Sequence, residues 1–387
     1  MVHNQNKIRK ILIAPDSFKD CLTSIEVAGF LSDGIKENSR NAEIALFPVA
    51  DGGEGTSSCI AWHRGGTWVE TRVTDPLFRK ISARYLVLDD GMTALIELAG
   101  ASGLELLSTV ERNPLNTSTF GTGQLIKDAM ERGLRKIILS IGGSATVDGG
   151  TGIASALGFR FSDQDMKIID PVRGGNLKEI CYINSENVHP AFSETEIIIA
   201  CDVQNILNGS EGAARVYGPQ KGAEEAEVAI LEDGLKHLSA LVFNETGFDA
   251  DKHPGTGAAG GASLFLLSYG KGELKKGFEI VAGLTGFTDA IKQADLVVTG
   301  EGKIDSQTAY GKVVASIALI AKKMQIPLIG VAGLLTEDKE SVKYSLSAQE
   351  VYSVRNLADN DTDSFKNAPV YLKEIGRLIA DSFINRA

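Results

Sequence analysis

Apolar residues in this chain fall into short runs that stop at Gly- and Asp-rich turns, with amphipathic stretches between them. Ile8 to Ala14 is the first such run. It ends at Pro15-Asp16-Ser17-Phe18-Lys19, and Thr23-Ser24-Ile25-Glu26 then reads as a capping box opening a helix with Ala28, Leu31 and Ile35 on its apolar face. Ile44 to Val49 is a second strand with another loop and helix behind it, so the opening is β-α-β-α and implies a parallel sheet. The same pattern returns near the carboxyl end. Asp295 to Thr299, Pro327 to Ala332 and Glu350 to Val354 read as strands, with helices over about Ser306 to Lys323 and Asp363 to Ile384. These five strands are expected to form one doubly wound sheet assembled from both ends of the chain.

The middle has a different period. Trp68 to Val73, Lys80 to Leu88 and Met92 to Leu98 are short β-rich runs joined by Asp75-Pro76 and Asp90-Gly91, the second a strong hairpin signal. Hairpins interrupt a βαβ winding, so an inserted α+β domain is expected over 76–285, containing the Ile137 and Ile197 strands. The end-built domain is then 1–75 and 286–387.

Composition adds constraints. At 387 residues, with 43% hydrophobic and 23% charged residues, the chain has the make-up of a soluble globular protein, and no run approaches the roughly 18 apolar residues of a membrane span. A formal charge of −11 argues against nucleic acid and anionic membrane as partners. Cys21, Cys59, Cys181 and Cys201 lie far apart without a Cys-x-x-Cys, which disfavours disulfides and zinc. With a polar amino terminus and an apolar run too short for a signal peptide, this points to the cytoplasm. Glycine makes up 42 of 387 residues, about 11% against a usual 7%. With no low-complexity segment to hold the excess, it belongs to loops that need glycine geometry.

Five post-strand loops carry the candidate chemistry: Asp16 to Lys19, Asp51 to Thr56, Gly142 to Gly150, Cys201 to Asn205, and Thr299 to Asp305. Ligands of α/β sheets bind beyond the carboxyl ends of strands, and glycines there let backbone N–H groups face an anion. Any one loop reads equally well as a turn with an Asx cap. Five together do not. Asp16, Asp51, Asp148, Asp202, Glu301 and Asp305 exceed what capping needs and suit Mg²⁺ or a proton from a substrate hydroxyl, while Lys19 and Lys303 are counter-charges for phosphate or carboxylate. Gly255-Thr-Gly-Ala-Ala-Gly260 has the letters of a dinucleotide fingerprint, but Asp251-Lys-His-Pro254 precedes it where a strand is required. Walker and protein-kinase motifs are absent from the sequence, and the five histidines lack metal-ligand spacing.

Ala14-Pro-Asp-Ser-Phe-Lys19, Pro48-Val-Ala-Asp-Gly-Gly-Glu-Gly-Thr56, Thr117 to Gly123, Gly142 to Gly150, Cys201 to Asn205, Tyr217-Gly-Pro-Gln-Lys-Gly-Ala223 and Thr299 to Thr308, taken in order, resemble the type 1 bacterial glycerate kinases, also called glycerate 2-kinases. The resemblance spans nearly the whole chain. It departs at Asp20, where glycine is usual, and at Ile206, where proline is usual. It implies ATP-dependent phosphorylation of D-glycerate with Mg²⁺, in glyoxylate or sugar-diacid catabolism, on a flavodoxin-like sheet with a restriction-endonuclease-like insert. The 2-hydroxyl is the implied acceptor. Phosphoryl transfer requires mainly positioning and charge neutralisation. Asp202, Lys19 and Asp16 are accordingly expected to be catalytic, with Asp202 favoured to receive the hydroxyl proton. Ser17, Asp51, Gly52, Gly53, Glu54, Gly142, Gly143, Ser144, Thr146, Gly149, Gly150, Asn205, Gly300, Glu301, Gly302 and Lys303 are expected around substrate and phosphates. Asp51, Asp148 and Asp305 are the metal candidates. A nucleotide-dependent oxidoreductase and a non-enzymatic small-acid sensor are the competing readings, and the number of loop carboxylates favours the kinase over both.

Overall fold

The structure is a computed structural model that describes residues 8–304 and 313–385. Its strands, numbered in chain order, are β1 (Lys10–Pro15), β2 (Glu43–Leu46), β3 (Thr67–Thr74), β4 (Lys80–Val87), β5 (Thr93–Glu97), β6 (Lys136–Ser140), β7 (Arg160–Ser162), β8 (Tyr182–Asn184), β9 (Glu196–Ala200), β10 (Lys271–Lys275), β11 (Leu296–Ile304), β12 (Leu328–Leu335) and β13 (Glu350–Ser353). The chain divides into two compact units. One is Met1–Asp51, Ser58–His63 and Phe278–Ala387, and the other is Gly52–Ser57 and Arg64–Gly277.

The first unit holds a parallel sheet in the order β13-β12-β11-β1-β2. Its central strands alternate between two cores, as a sheet buried on both faces must. Leu12, Ala14 and Val297 enter one core with the helix Val313–Met324. Ile11, Ile13, Leu296 and Val298 enter the other, beneath the helices Ser24–Asn38 and Ala368–Ile379. The capping box at Thr23 forms: Glu26 N–H donates to the Thr23 hydroxyl at 3.3 Å, and the Glu26 carboxylate accepts the Thr23 N–H at 2.8 Å. The last helix, expected as one span over Asp363 to Ile384, is broken at Asn367 into Asp361–Lys366 and Ala368–Ile379, with Pro369 in the first turn of the second piece. Proline tolerates a helix start but not its interior, which places the break.

The second unit carries a mixed sheet in the order β10-β9-β6-β5-β4-β3, in which β10, β9, β6 and β5 run parallel and β4 and β3 antiparallel. Both hairpin turns are fixed by aspartate side chains. Asp75 accepts the N–H groups of Leu77 and Arg79, and Asp90 those of Met92 and Thr93. The boundary expected at 75 falls instead near 64, because β3 pairs with β4 along its whole length; the one expected at 286 falls at Phe278. Both units are thus α/β. Among the described residues, no helix is long and apolar enough to cross a membrane.

Candidate functional site

In the first unit the order of strands reverses at β1, whose neighbours are β2 on one side and β11 on the other. Such a switch point is where α/β sheets leave room for ligands. Asp16 follows β1 directly, and its N–H donates to the Gly300 carbonyl at 2.8 Å, which sets it beside Glu301. Val49 N–H donates to the Pro15 carbonyl at 3.0 Å and carries Asp51 to the same edge. Burial, and then the charges of Asp51 and Glu301, push the Asp16 carboxyl well above its ordinary range, although the Ser17 N–H donates to Asp16 Oδ1 at 2.6 Å and pulls the other way. Cys59 Sγ donates to the Pro48 carbonyl at 3.2 Å, and His63 Nε2 bonds the same oxygen at 2.8 Å. Burial with the nearby Asp16 raises that thiol to about 12, so it is an inert part of the clamp holding this loop.

Lys19 is exposed on the turn after β1, where Phe18 and Leu22 form an antiparallel bridge. Asp20 in that turn has φ 60°, a left-handed conformation. That is the physical reason glycine suits this position. The expected Thr299 to Asp305 loop is a correction: β11 continues through Ile304, with Gly300 opposite Val331 and Lys303 opposite Leu334. A Cβ at Gly300 would lie 2.0 Å from the Val331 carbonyl oxygen, and one at Gly302 would lie 3.1 Å from Lys19 N. These glycines permit close backbone approach within the sheet and do not form an anion-binding turn. Asp305, a metal candidate, lies outside the described residues.

In the second unit Glu97, Ser140, Ala200 and Lys275 are in register at the carboxyl ends of four parallel strands. The loops after β5, β6 and β9 therefore emerge side by side. Gly52 and Gly53 lie across them, since a Cβ at Gly52 would come within 2.6 Å of Gly277 Cα and 2.9 Å of Ala200 Cβ, and one at Gly142 within 3.0 Å of Gly53 Cα. Gly52 has φ 88°, so glycine is required there for conformation as well as space. Glu54 is exposed on the same loop. Glu97, which the sequence reading missed, accepts the N–H groups of Gly55 at 3.2 Å and Ser57 at 2.7 Å and so fixes this loop. Asp202 Oδ1 accepts the Gly277 N–H at 3.0 Å. The Asn205 carbonyl takes the N–H groups of Gly255 and Gly257, while its side chain accepts the Tyr217 hydroxyl at 2.7 Å and donates to the Glu211 carbonyl at 2.8 Å. Asn205 therefore builds the loop that presents Asp202.

The Gly142 to Gly150 turn is held from inside. Asp148 is 0% exposed and accepts the Thr119 N–H at 2.7 Å, the Thr119 hydroxyl at 2.8 Å, the Ser118 hydroxyl at 3.4 Å, and the N–H groups of Gly150 and Gly152 at 3.2 Å each. Burial still carries its carboxyl above the ordinary range against the pull of these donors. Its oxygens are committed to the starts of the helices Phe120–Glu131 and Thr151–Leu157, so the structure spends as a scaffold the carboxylate expected to bind metal. Gly143, Gly149 and Gly150 have φ of 72°, 58° and 72°. Ser144 and Thr146 receive the buried ammonium of Lys221, which the sequence placed in the Tyr217 to Ala223 motif without a role. The Gly255 segment packs against this turn: Gly149 N–H donates to the Gly260 carbonyl at 2.9 Å, and a Cβ at Gly260 would lie 2.1 Å from the Thr146 carbonyl oxygen. Its glycines serve backbone contact, and the 3₁₀ turn Ala250–Lys252 stands where a dinucleotide site needs a strand.

Among the described residues, no three His, Cys, Asp or Glu side chains are gathered at metal-ligand spacing. Asp51 and Glu301 do lie close enough to Asp16 for their charges to act on its carboxyl. Hard oxygen donors with an excess of negative charge fit Mg²⁺. His63, His189, His237 and His253 each bond a backbone group.

The fold and these residues define an α/β protein with acidic groups at a sheet switch point and glycine-rich turns after its strands. The pattern of the glycerate kinase family matches residues 11–383. The chain is 40% identical to the glycerate kinase of Bacillus subtilis (strain 168), over 96% of this chain and 97% of that one. It is 41% identical to the glycerate 2-kinase of Escherichia coli (strain K12), over 93% and 94%. A solved structure described as glycerate kinase 2 from Salmonella typhimurium LT2 superposes with a TM-score of 0.83 at 38% identity, covering 97% of this chain and 98% of that one. The chain belongs to the glycerate kinase family.

Proposed function

We propose that this protein transfers the γ-phosphoryl group of ATP to the 2-hydroxyl of D-glycerate, in the catabolism of glyoxylate or sugar diacids. Family membership makes it an ATP-dependent kinase of a small organic acid. The observation that carries the reading onto its own residues is the meeting of Asp16, Asp51 and Glu301 at the β1/β11 switch point, where Asp16 is held above its ordinary range by burial and by its neighbours' charge. In our reading Asp51, with Asp16 beside it, would hold Mg²⁺, which would supply charge neutralisation at the phosphoryl oxygens.

The chain's own groups do the rest. Backbone N–H groups of Gly142 to Ser144, at the mouth of the turn after β6, and of Gly52 to Glu54 bind phosphate oxygens, while Gly149 and Gly150 donate theirs to the Gly260 carbonyl and Asp148 to hold the turn. Asp202, oriented by the Gly277 N–H, receives the proton of the substrate hydroxyl. Lys19 and Lys303 balance the glycerate carboxylate or the migrating phosphoryl group. Ser17 and Asn205 shape the loops that carry Asp16 and Asp202. The strand order of the end-built sheet supports a flavodoxin-like description, and we read the insert as restriction-endonuclease-like. The free cysteines fit a reducing cytoplasmic setting.

Regiochemistry is tested by coupling the reaction to enolase and pyruvate kinase. Enolase accepts 2-phosphoglycerate, so pyruvate should form without phosphoglycerate mutase. A requirement for the mutase would assign the product as 3-phosphoglycerate and overturn this part of the reading.

A further inference from the structure

Lys221 is 2% exposed. It ends the 3₁₀ turn Pro219–Lys221, where Lys221 and Ala223 both donate backbone N–H groups to the Gly218 carbonyl. The next residue, Gly222, has φ 96°, and a Cβ there would lie 2.0 Å from the Arg112 carbonyl oxygen. The Tyr217 to Ala223 segment therefore turns the Lys221 side chain inward. There its Nζ donates to Ser144 Oγ at 2.8 Å and to the Thr146 carbonyl at 2.6 Å. Ser144 Oγ also accepts the Thr146 N–H at 3.4 Å, so one ammonium closes the bend of the Gly142 to Gly150 turn.

A buried ammonium is costly, and a methionine would fill a similar volume without that cost. Burial pushes Lys221 down to about 7, against the opposing pull of Asp148. Two of its three N–H donors are used, both on the same glycine turn, and Thr146 Oγ1 on that turn is buried without a partner. A fully buried cation spent on the bend of a glycine loop fixes where that loop's N–H groups point.

We propose that Lys221 is a positioning residue for phosphate: by tying Ser144 to the Thr146 carbonyl it holds the Gly142 to Ser144 N–H groups, at the mouth of this turn, in the direction that receives ATP. This rests on the reading above that the turn binds ATP phosphates.

The test compares Lys221→Met, Lys221→Gln and Gly143→Ala with the wild type in thermal melts and in steady-state kinetics with ATP and D-glycerate varied separately. Gln keeps N–H donors without the charge. Gly143→Ala strains the turn itself, at φ 72°. The expected result is a cooperative melt for both Lys221 variants, KM for ATP raised about tenfold or more, and KM for D-glycerate changed less than about twofold. An unchanged KM for ATP in a folded Lys221 variant, while Gly143→Ala raises it, overturns the role of Lys221 alone. If Gly143→Ala instead leaves the KM for ATP unchanged or shifts that for glycerate, the phosphate-loop reading fails and takes the proposal with it. Loss of a cooperative melt in both Lys221 variants makes this lysine a structural cation and also overturns the proposal.

Discussion

Replacing Asp148 separates a scaffold from a metal ligand. In Asp148→Ala, the buried N–H groups of Thr119, Gly150 and Gly152 lose their acceptor together with the hydroxyls of Ser118 and Thr119. A buried donor left unpaired costs about 1–3 kcal/mol, so three would sum to about 3–9 kcal/mol if they added. Relief of the carboxylate's own desolvation offsets part of this, and the Lys221 ammonium loses its nearby counter-charge. A net loss of about 3–5 kcal/mol follows, the scale of breaking a buried charged network. Asp148→Asn should cost less, about 1–2 kcal/mol, because an amide oxygen in the place of Oδ2 still meets the Thr119 and Gly152 donors and only the Gly150 N–H faces the amide nitrogen. Trp68 lies in the second unit, so its fluorescence in a Trp62→Phe background reports the unfolding of that unit in urea. The measurement is made with EDTA present. If both variants unfold within about 0.5 kcal/mol of the parent, yet lose activity with Mg²⁺, then Asp148 is a ligand and the scaffold argument fails.

Three further outcomes are expected. Lys221 has its folded pKa lowered to about 7 from 10.5, so between these values the unfolded state binds the extra proton and stability should rise with pH; urea midpoints that rise less between pH 7 and 10 in Lys221→Met than in the wild type would bear this out, and equal slopes would contradict it. Asp202→Asn and Lys19→Ala should each lower kcat by about a hundredfold with melting unchanged; near-normal kcat would reduce either residue to a loop cap or a surface charge. Asp20→Gly relieves a left-handed aspartate worth about 1 kcal/mol while adding unfolded-state entropy, for a net gain of under about 1 kcal/mol. A loss larger than that in urea unfolding would show that Asp20 makes contacts this account omits.

Period and turn chemistry made the elements legible. The capping box at Thr23, the Asp90-Gly91 hairpin and the apolar runs at Ile11 and Val297 are local signals, and each lies where it was expected. The extension of β11 through Ile304 was hidden because its glycines look like a loop until the neighbouring strand is in place, when a Cβ at Gly300 is seen to have no room. Asp148 misled for a related reason. An aspartate in a glycine turn has the same letters whether it faces a ligand or five protein donors, and only Thr119, 29 residues away in sequence, decides between them. Glu97 and Lys221 gave no sign of their roles, since one ends an apolar strand and the other lies in the Tyr217 to Ala223 motif with nothing local to show that it turns inward. Their roles come from long-range register and burial.

The most direct measurement of the central claim is ADP release by the purified chain from ATP and Mg²⁺, with and without D-glycerate. The account predicts steady ADP formation that requires D-glycerate and is abolished by excess chelator. ADP formation indifferent to glycerate, or full turnover in the chelator, would contradict it.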